Sequence, residues 1–294
     1  MSASLEIQLI AVLVAVACAL PGVFLILRGM AMMSDAISHA ILPGIVIAFL
    51  ITGNLSSGWL ILGAGLSGVL TVALVEVLRT TGLLKEDAAI GIVFPALFSL
   101  GVVLIAVFAD DVHLDTDAVL LGELAFAPFD RHVILGREVP RAAVVMAIIL
   151  VINAAFITLF YKELKMSTFD AALASSFGFA PSVLHYGLMA LVSTTAVGAF
   201  DAVGSILVVA LMVAPPAAAY LLTRRLSSML VWSALIGCLV AVWGYWMARL
   251  LDASIAGSMA TMAGILFVIV LAFAPSRSSG SRRGRREPDS ITVR

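Results

Sequence analysis

The sequence predicts an all-α polytopic membrane protein of about nine (eight to nine) transmembrane helices. Three observations carry this. Of the 294 residues, 62% are hydrophobic and only 12% are charged, whereas a soluble domain carries about 45–50% and about 25%. Apolar runs long enough to cross hydrocarbon recur along the chain, separated by short charged or Gly/Pro-marked segments. The basic residues fall unevenly on alternate loops. This composition excludes a nucleic-acid binder, a disordered chain and an ordinary cytosolic enzyme. The net charge of −1 carries no information, so the placement of the charges must supply it.

The runs fall near 9–27, 36–52, 58–78, 88–109, 142–161, 182–200, 203–222, 229–251 and 255–275. In hydrocarbon the backbone must bond to itself, so each is expected to be a helix. The first is read as a span and not a signal peptide: Glu6 is the only charge before Arg28, and no small-residue cleavage site follows. The ends of the second and seventh runs are weakly marked, which keeps eight spans open. Cys18 and Cys238 lie inside apolar runs and are read as packing residues, too sparse for a disulfide framework or a thiolate metal site.

Nine spans place Arg28, Arg79, Lys85, Lys162, Lys165, Arg224, Arg225 and the six tail arginines on one side. Arg131, Arg137, Arg141 and Arg249 fall on the other. The richer side is expected to be cytoplasmic, with the N-terminus outside and the C-terminus inside. Residues 1–275 then form one transmembrane domain, and 276–294 a basic, disordered cytoplasmic tail that can touch anionic lipid or merely help fix topology.

The second run holds the residues least at home in a bilayer. In "SDAISHAILPGIVIAFL" (34–50), Asp35 and His39 share one helix face a turn apart. A carboxylate with a neutral imidazole suits Mn²⁺, Fe²⁺ or Zn²⁺; an ion pair that packs two helices fits the spacing as well. Ser34 and Ser38 stand where they can orient the pair. Pro43 removes the helical donor to the His39 carbonyl, leaving an oxygen in the same place. In the third run Glu76 is expected to pair with Arg79. Pro95 in the fourth run frees the Gly91 carbonyl. Pro215 and Pro216 in the seventh free those of Leu211 and Met212. Broken helices in membranes line cavities or are plain kinks.

Two connections are informative. The outer segment 110–141 carries Asp110, Asp111, Asp115, Asp117 and Glu123 before an apolar stretch, "LLGELAFAPFDR", expected to be a re-entrant or surface helix. The cytoplasmic stretch 164–181 predicts a short helix. Ser167 or Thr168 is its cap, Asp170 lies in its first turn, Gly178 is its stop, and Pro181 follows. It suits docking into a groove on another protein, or an ordinary interfacial loop. Asp201 is expected to be a cap or vestibule residue, Arg249 and Asp252 to form an outer turn, and His113, His132 and His185 to be structural. Small residues such as Gly63, Gly65 and Gly68, and Gly257 with Gly264, let helices approach closely. No GxxxxGK[ST] run is present, so transport would need an ion gradient or a separate motor.

With these motifs in place, the chain resembles the permease subunit of the metal-type ABC importers, the zinc/manganese/iron permease family, over about residues 8–275. The resemblance rests on residues 34–50 and on "EDAAIGIVFPALFSLGVVLI" (86–105), "FDAALASSFGFAP" (169–181) and "VGSILVVALMVAPPAAAYLLTRRL" (203–226). "HLDTDAVLLGELAFAPFD" resembles the manganese/zinc/iron branch more than the zinc-only branch. Pro215-Pro216, where a single proline is expected, leaves the exact kink open.

The resemblance implies a fold similar to the vitamin B12 and siderophore importers, with roughly one span fewer. It implies two permease protomers, identical or related, two cytoplasmic ATPase subunits and an extracytoplasmic metal-binding protein. The chain itself would be no enzyme and hold no permanent cofactor, with a divalent metal ion as cargo. Asp35 and His39 correspond to the family's metal-coordinating pair. Asp170, Ala174 and Gly178 correspond to its coupling helix. The rival readings are a permease for a metal chelate, an ion-coupled secondary carrier and a non-transporting scaffold.

Overall fold

The computed structural model describes residues 3–53, 58–108, 124–125, 127–128, 130–134 and 137–274. The basic tail 276–294, the acidic residues from Asp110 to Glu123, and His113 lie outside these. The helices are α1 (Ala3–Arg28), α2 (Met32–Ala40), α3 (Leu42–Thr52), α4 (Gly58–Thr80) and α5 (Glu86–Phe108). A hairpin follows, β1 (Arg131–Ile134) and β2 (Arg137–Pro140). Then come α6 (Arg141–Leu159), α7 (Tyr161–Phe169), α8 (Ala171–Ser176), α9 (Pro181–Val203), α10 (Ser205–Leu222), α11 (Leu226–Leu251) and α12 (Ile255–Phe273). Nine segments among the described residues are long and apolar enough to cross a membrane, α2 and α3 counting as one.

The first helix is the axis of the bundle. It packs against α6, α9, α10 and α11, and α12 closes on α10 and α11. Helices α2 to α5 form a second group joined to the first chiefly through α9, with α2 also touching α10. Lipid tails are as apolar as leucine, so close packing, not apolar burial, must hold such helices together. Gly22 shows this: a Cβ there would overlap the Met212 carbonyl and crowd Pro216, so α1 and α10 touch backbone to backbone. Gly44 of α3 and Gly63 of α4 abut in the same way. Buried polar groups add directed contacts. Asn153 of α6 donates to the Ala17 carbonyl at 3.0 Å and to Thr195 Oγ1 at 2.8 Å, tying three helices at one point. Many large apolar side chains, Ile51, Leu66, Val103, Val151 and Val268 among them, are exposed, as a lipid-facing surface requires.

Three expectations need correction. The second run is not one helix but two, broken at Ile41, because Pro43 lacks the N–H that the His39 carbonyl would accept and its ring crowds that oxygen. Ser67 Oγ of α4 donates to the Ala40 carbonyl at 2.7 Å, satisfying the break from a neighbouring helix. The stretch "LLGELAFAPFDR" is turn and bend at positions 124, 125, 127, 128 and 130 and strand at Arg131, with no helix at its described positions. It leads into the antiparallel hairpin, where Arg131 pairs with Pro140 and Ile134 with Arg137. The fifth run stops at Leu159, and the chain turns into the separate α7. Asp201 lies inside α9, and Asp252 is a left-handed cap on α11 at φ 49°.

Candidate functional site

Helix α2 presents Asp35 and His39 on one side, with His39 Nε2 3.6 Å from Asp35 Oδ1. The two side chains retain 37% and 26% exposure, so neither is sealed in the packing. The imidazole stands against two aromatic rings of α5: Phe94 at 5.4 Å and Phe98, edge-on, at 6.1 Å. Pro95 lies between those two phenylalanines in sequence and within the continuous α5. It is exposed, as are Gly91 and Phe98. The Asp–His pair therefore sits beside a face of α5 that this chain leaves open.

Chemically the pair offers one carboxylate and one imidazole. No group of three or more His, Cys, Asp or Glu side chains gathers among the described residues. A cation held here would complete its shell with water, backbone oxygens or a second chain. The serines do not serve the pair as expected. Ser34 Oγ donates to the Ala31 carbonyl at 3.0 Å and Ser38 Oγ to the Ser34 carbonyl at 2.9 Å. Both hydroxyls thus back-bond to their own helix, a common outcome for serine within a turn. The His39 carbonyl that Pro43 leaves without a helical donor is reached by the Ile41 N–H. A carbonyl carries two lone pairs, so one stays available.

The other prolines fall in different settings, and α10 runs unbroken through Pro215 and Pro216, so the break expected there is not formed. Pro43 lines an apolar groove of about 660 Å³ between α3, α4 and Leu100 of α5. Pro215 and Pro216 are buried in α10, with Pro216 against Gly22 of α1.

At the Arg28 end of the bundle, α8 forms as a capped six-residue helix. Asp170 is its N-cap, not a first-turn residue. The Asp170 backbone is extended and its Oδ1 accepts the Leu173 N–H at 2.9 Å. Ser167 and Thr168 are instead the last turn of α7, because the chain stays helical to Phe169. Ala174 is fully buried. Gly178 stops the helix at φ 84°, a left-handed conformation that glycine adopts without Cβ strain. Leu173 and Phe177 project outward, 47% and 66% exposed. A cleft of about 390 Å³ runs from Phe169, the last residue of α7, to the Thr223–Leu226 segment, lined by Arg224 and Arg225.

Glu76 pairs with Arg79 at 2.8 Å, as its spacing predicts. A set of contacts around Arg28 has no linear signature. Arg28, Ser167, Thr168 and His185 are brought together from positions more than a hundred residues apart.

Comparison with known proteins matches this architecture. The model of the ABC 3 transport family matches residues 4–274. The zinc transport system membrane protein TroD of Treponema pallidum is 52% identical over 272 residues, covering 92% of this chain and 74% of that one. The manganese transport system membrane protein MntD of Bacillus subtilis is 47% identical over 266 residues, covering 90% of each. Among solved structures, PsaBC from Streptococcus pneumoniae in complex with Fab aligns with a TM-score of 0.77 at 29% identity. That alignment covers 94% of this chain and 93% of that one.

Proposed function

This chain belongs to the ABC 3 transport family, and on that premise we propose that it is the membrane permease of an ATP-driven importer of a divalent transition metal ion. Its relatives are named for zinc, manganese and iron transport, which brackets the cargo. The metal is substrate and not a resident cofactor.

The observation that carries the site is the half-exposed Asp35–His39 pair on a surface otherwise apolar. An ionisable pair facing lipid is costly, so such residues face a cavity or another protein. A second permease protomer against the open face of α5 would cover the pair and enclose a path. Two side-chain ligands bind a cation loosely, which suits a step that must release it. Phe94 and Phe98 would hold the imidazole in place.

Hydrolysis falls to a partner, since the chain has no phosphate-binding loop motif. Helix α8 would dock on that ATPase, with Asp170 capping it, Ala174 seating it on this chain and Gly178 ending it. ATP binding would close the ATPase dimer, move α8 and switch the path from outward to inward facing. The excess of Lys and Arg at the Arg28 end makes that end cytoplasmic, with the N-terminus outside. The hairpin end would then receive metal from an extracytoplasmic binding protein.

The test is uptake of free Mn²⁺, Zn²⁺ and Fe²⁺ into proteoliposomes holding the chain with its ATPase partner. ATP-dependent accumulation without any chelator is expected. Accumulation driven by an ion gradient with the ATPase absent would defeat the proposal.

A further inference from the structure

One guanidinium at the Arg28 end joins the bundle to the segment that leads into α8. Arg28, the last residue of α1, donates from Nε to Thr168 Oγ1 at 3.3 Å and from Nη2 to Ser167 Oγ at 3.2 Å. Its Nη1 lies 3.1 Å from Nδ1 of His185 on α9. A guanidinium has donors only, so His185 Nδ1 is the acceptor and the neutral ring carries its proton on Nε2. That nitrogen is buried without a hydrogen-bond partner among the described residues, 3.9 Å from Glu76 Oε2 on α4. Arg79 holds the other Glu76 oxygen at 2.8 Å. The six side chains line one cavity of about 600 Å³ that reaches Ala171, the first residue of α8.

This cavity is a poor cation site. Arg28 occupies the imidazole lone pair, and Arg79 neutralises the carboxylate. Its geometry is that of a mechanical link. Ser167 and Thr168 lie in the last turn of α7, three and two residues before the Asp170 cap, so a shift of α8 would pull on them directly. Their partner Arg28 ends the helix around which α6, α9, α10 and α11 pack.

We propose that Arg28 is a positioning residue of the transport step, carrying the movement of α8 into α1 and, through His185, toward α4. This rests on α8 being the ATPase-docking helix. The open gap between His185 Nε2 and Glu76 is the slack in the link, which closes when α8 moves.

The variants R28A, R28K and the double S167A/T168A are compared in the full complex with the ATPase partner in proteoliposomes. Complex yield, ATP hydrolysis and Mn²⁺ uptake are read on the same samples. All three are expected to assemble. R28A keeps hydrolysis within about twofold but loses at least about tenfold in uptake per ATP. R28K recovers part of the loss, because an ammonium is one point charge without the fork that reaches three partners. S167A/T168A falls between, keeping the charge and losing the tie to α7. Wild-type uptake per ATP in assembled R28A overturns the proposal. So does loss of the complex in R28A alongside normal coupling in S167A/T168A, which marks a packing role only. The double variant D170A/F177A separates the premise: normal ATPase binding there removes the docking reading and this proposal with it. Lost binding there with normal coupling in R28A removes this proposal alone.

Discussion

Arg131 Nη2 of the hairpin lies 2.9 Å from Glu6 Oε2 in the first turn of α1, although 125 residues separate them. The glutamate is buried, at 8% exposure, while the arginine is 37% exposed and also donates from Nε to the Pro128 carbonyl. A charge-assisted bond of this kind contributes about 1–2 kcal/mol once the arginine's solvent screening is counted. E6A and R131A are each expected to lower the thermal midpoint in detergent, and the double variant to be no worse than the poorer single one. Additive losses would mean the two residues do not act on each other.

Packing between α1 and α10 predicts an asymmetry among glycines. G22A places a methyl group into the Met212 carbonyl and Pro216, so it should cost about 1–3 kcal/mol. G65A meets open space and should be neutral within about 0.5 kcal/mol. Fluorescence-detected size exclusion after heating reads both. Equal tolerance would contradict the close helix contact.

Helix α8 depends on its cap. D170A should remove about 1 kcal/mol of helix stability and weaken ATPase association about fivefold, while D170N retains most of both. Titration of the purified ATPase onto the reconstituted chain measures this. Identical affinities for D170A and the parent chain would show that the cap is not needed for docking.

Asn153 predicts a fourth kind of loss. Its amide ties α6 to α1 and α9 in a fully packed position. N153L keeps the branched shape but is bulkier, drops both bonds and leaves their partners unpaired, an expected cost of about 1–3 kcal/mol. A raised thermal midpoint in N153L would contradict this.

The spans were legible because hydrocarbon leaves the backbone one economical solution, and a 20-residue apolar run announces it. Asp35 and His39 stood out for the same reason, as polar groups in an apolar context. Capping logic picks out Asp170 and Gly178 but assigns the cap to Ser167 or Thr168, whereas Asp170 itself caps the helix. Nothing local in the sequence says that α7 continues to Phe169. The break at Ile41 was half visible: Pro43 marks it, but Ser67, which satisfies it, comes from another helix. The hairpin and the Arg28 contacts were invisible. They depend on pairs far apart in sequence, and one chain offers no pattern that joins them.

Metal uptake by proteoliposomes carrying the D35A/H39A chain with its ATPase partner tests the transport site most directly. The Asp–His site predicts an assembled complex that still hydrolyses ATP but accumulates metal only at background. Uptake at the wild-type rate in that assembled double variant would contradict it.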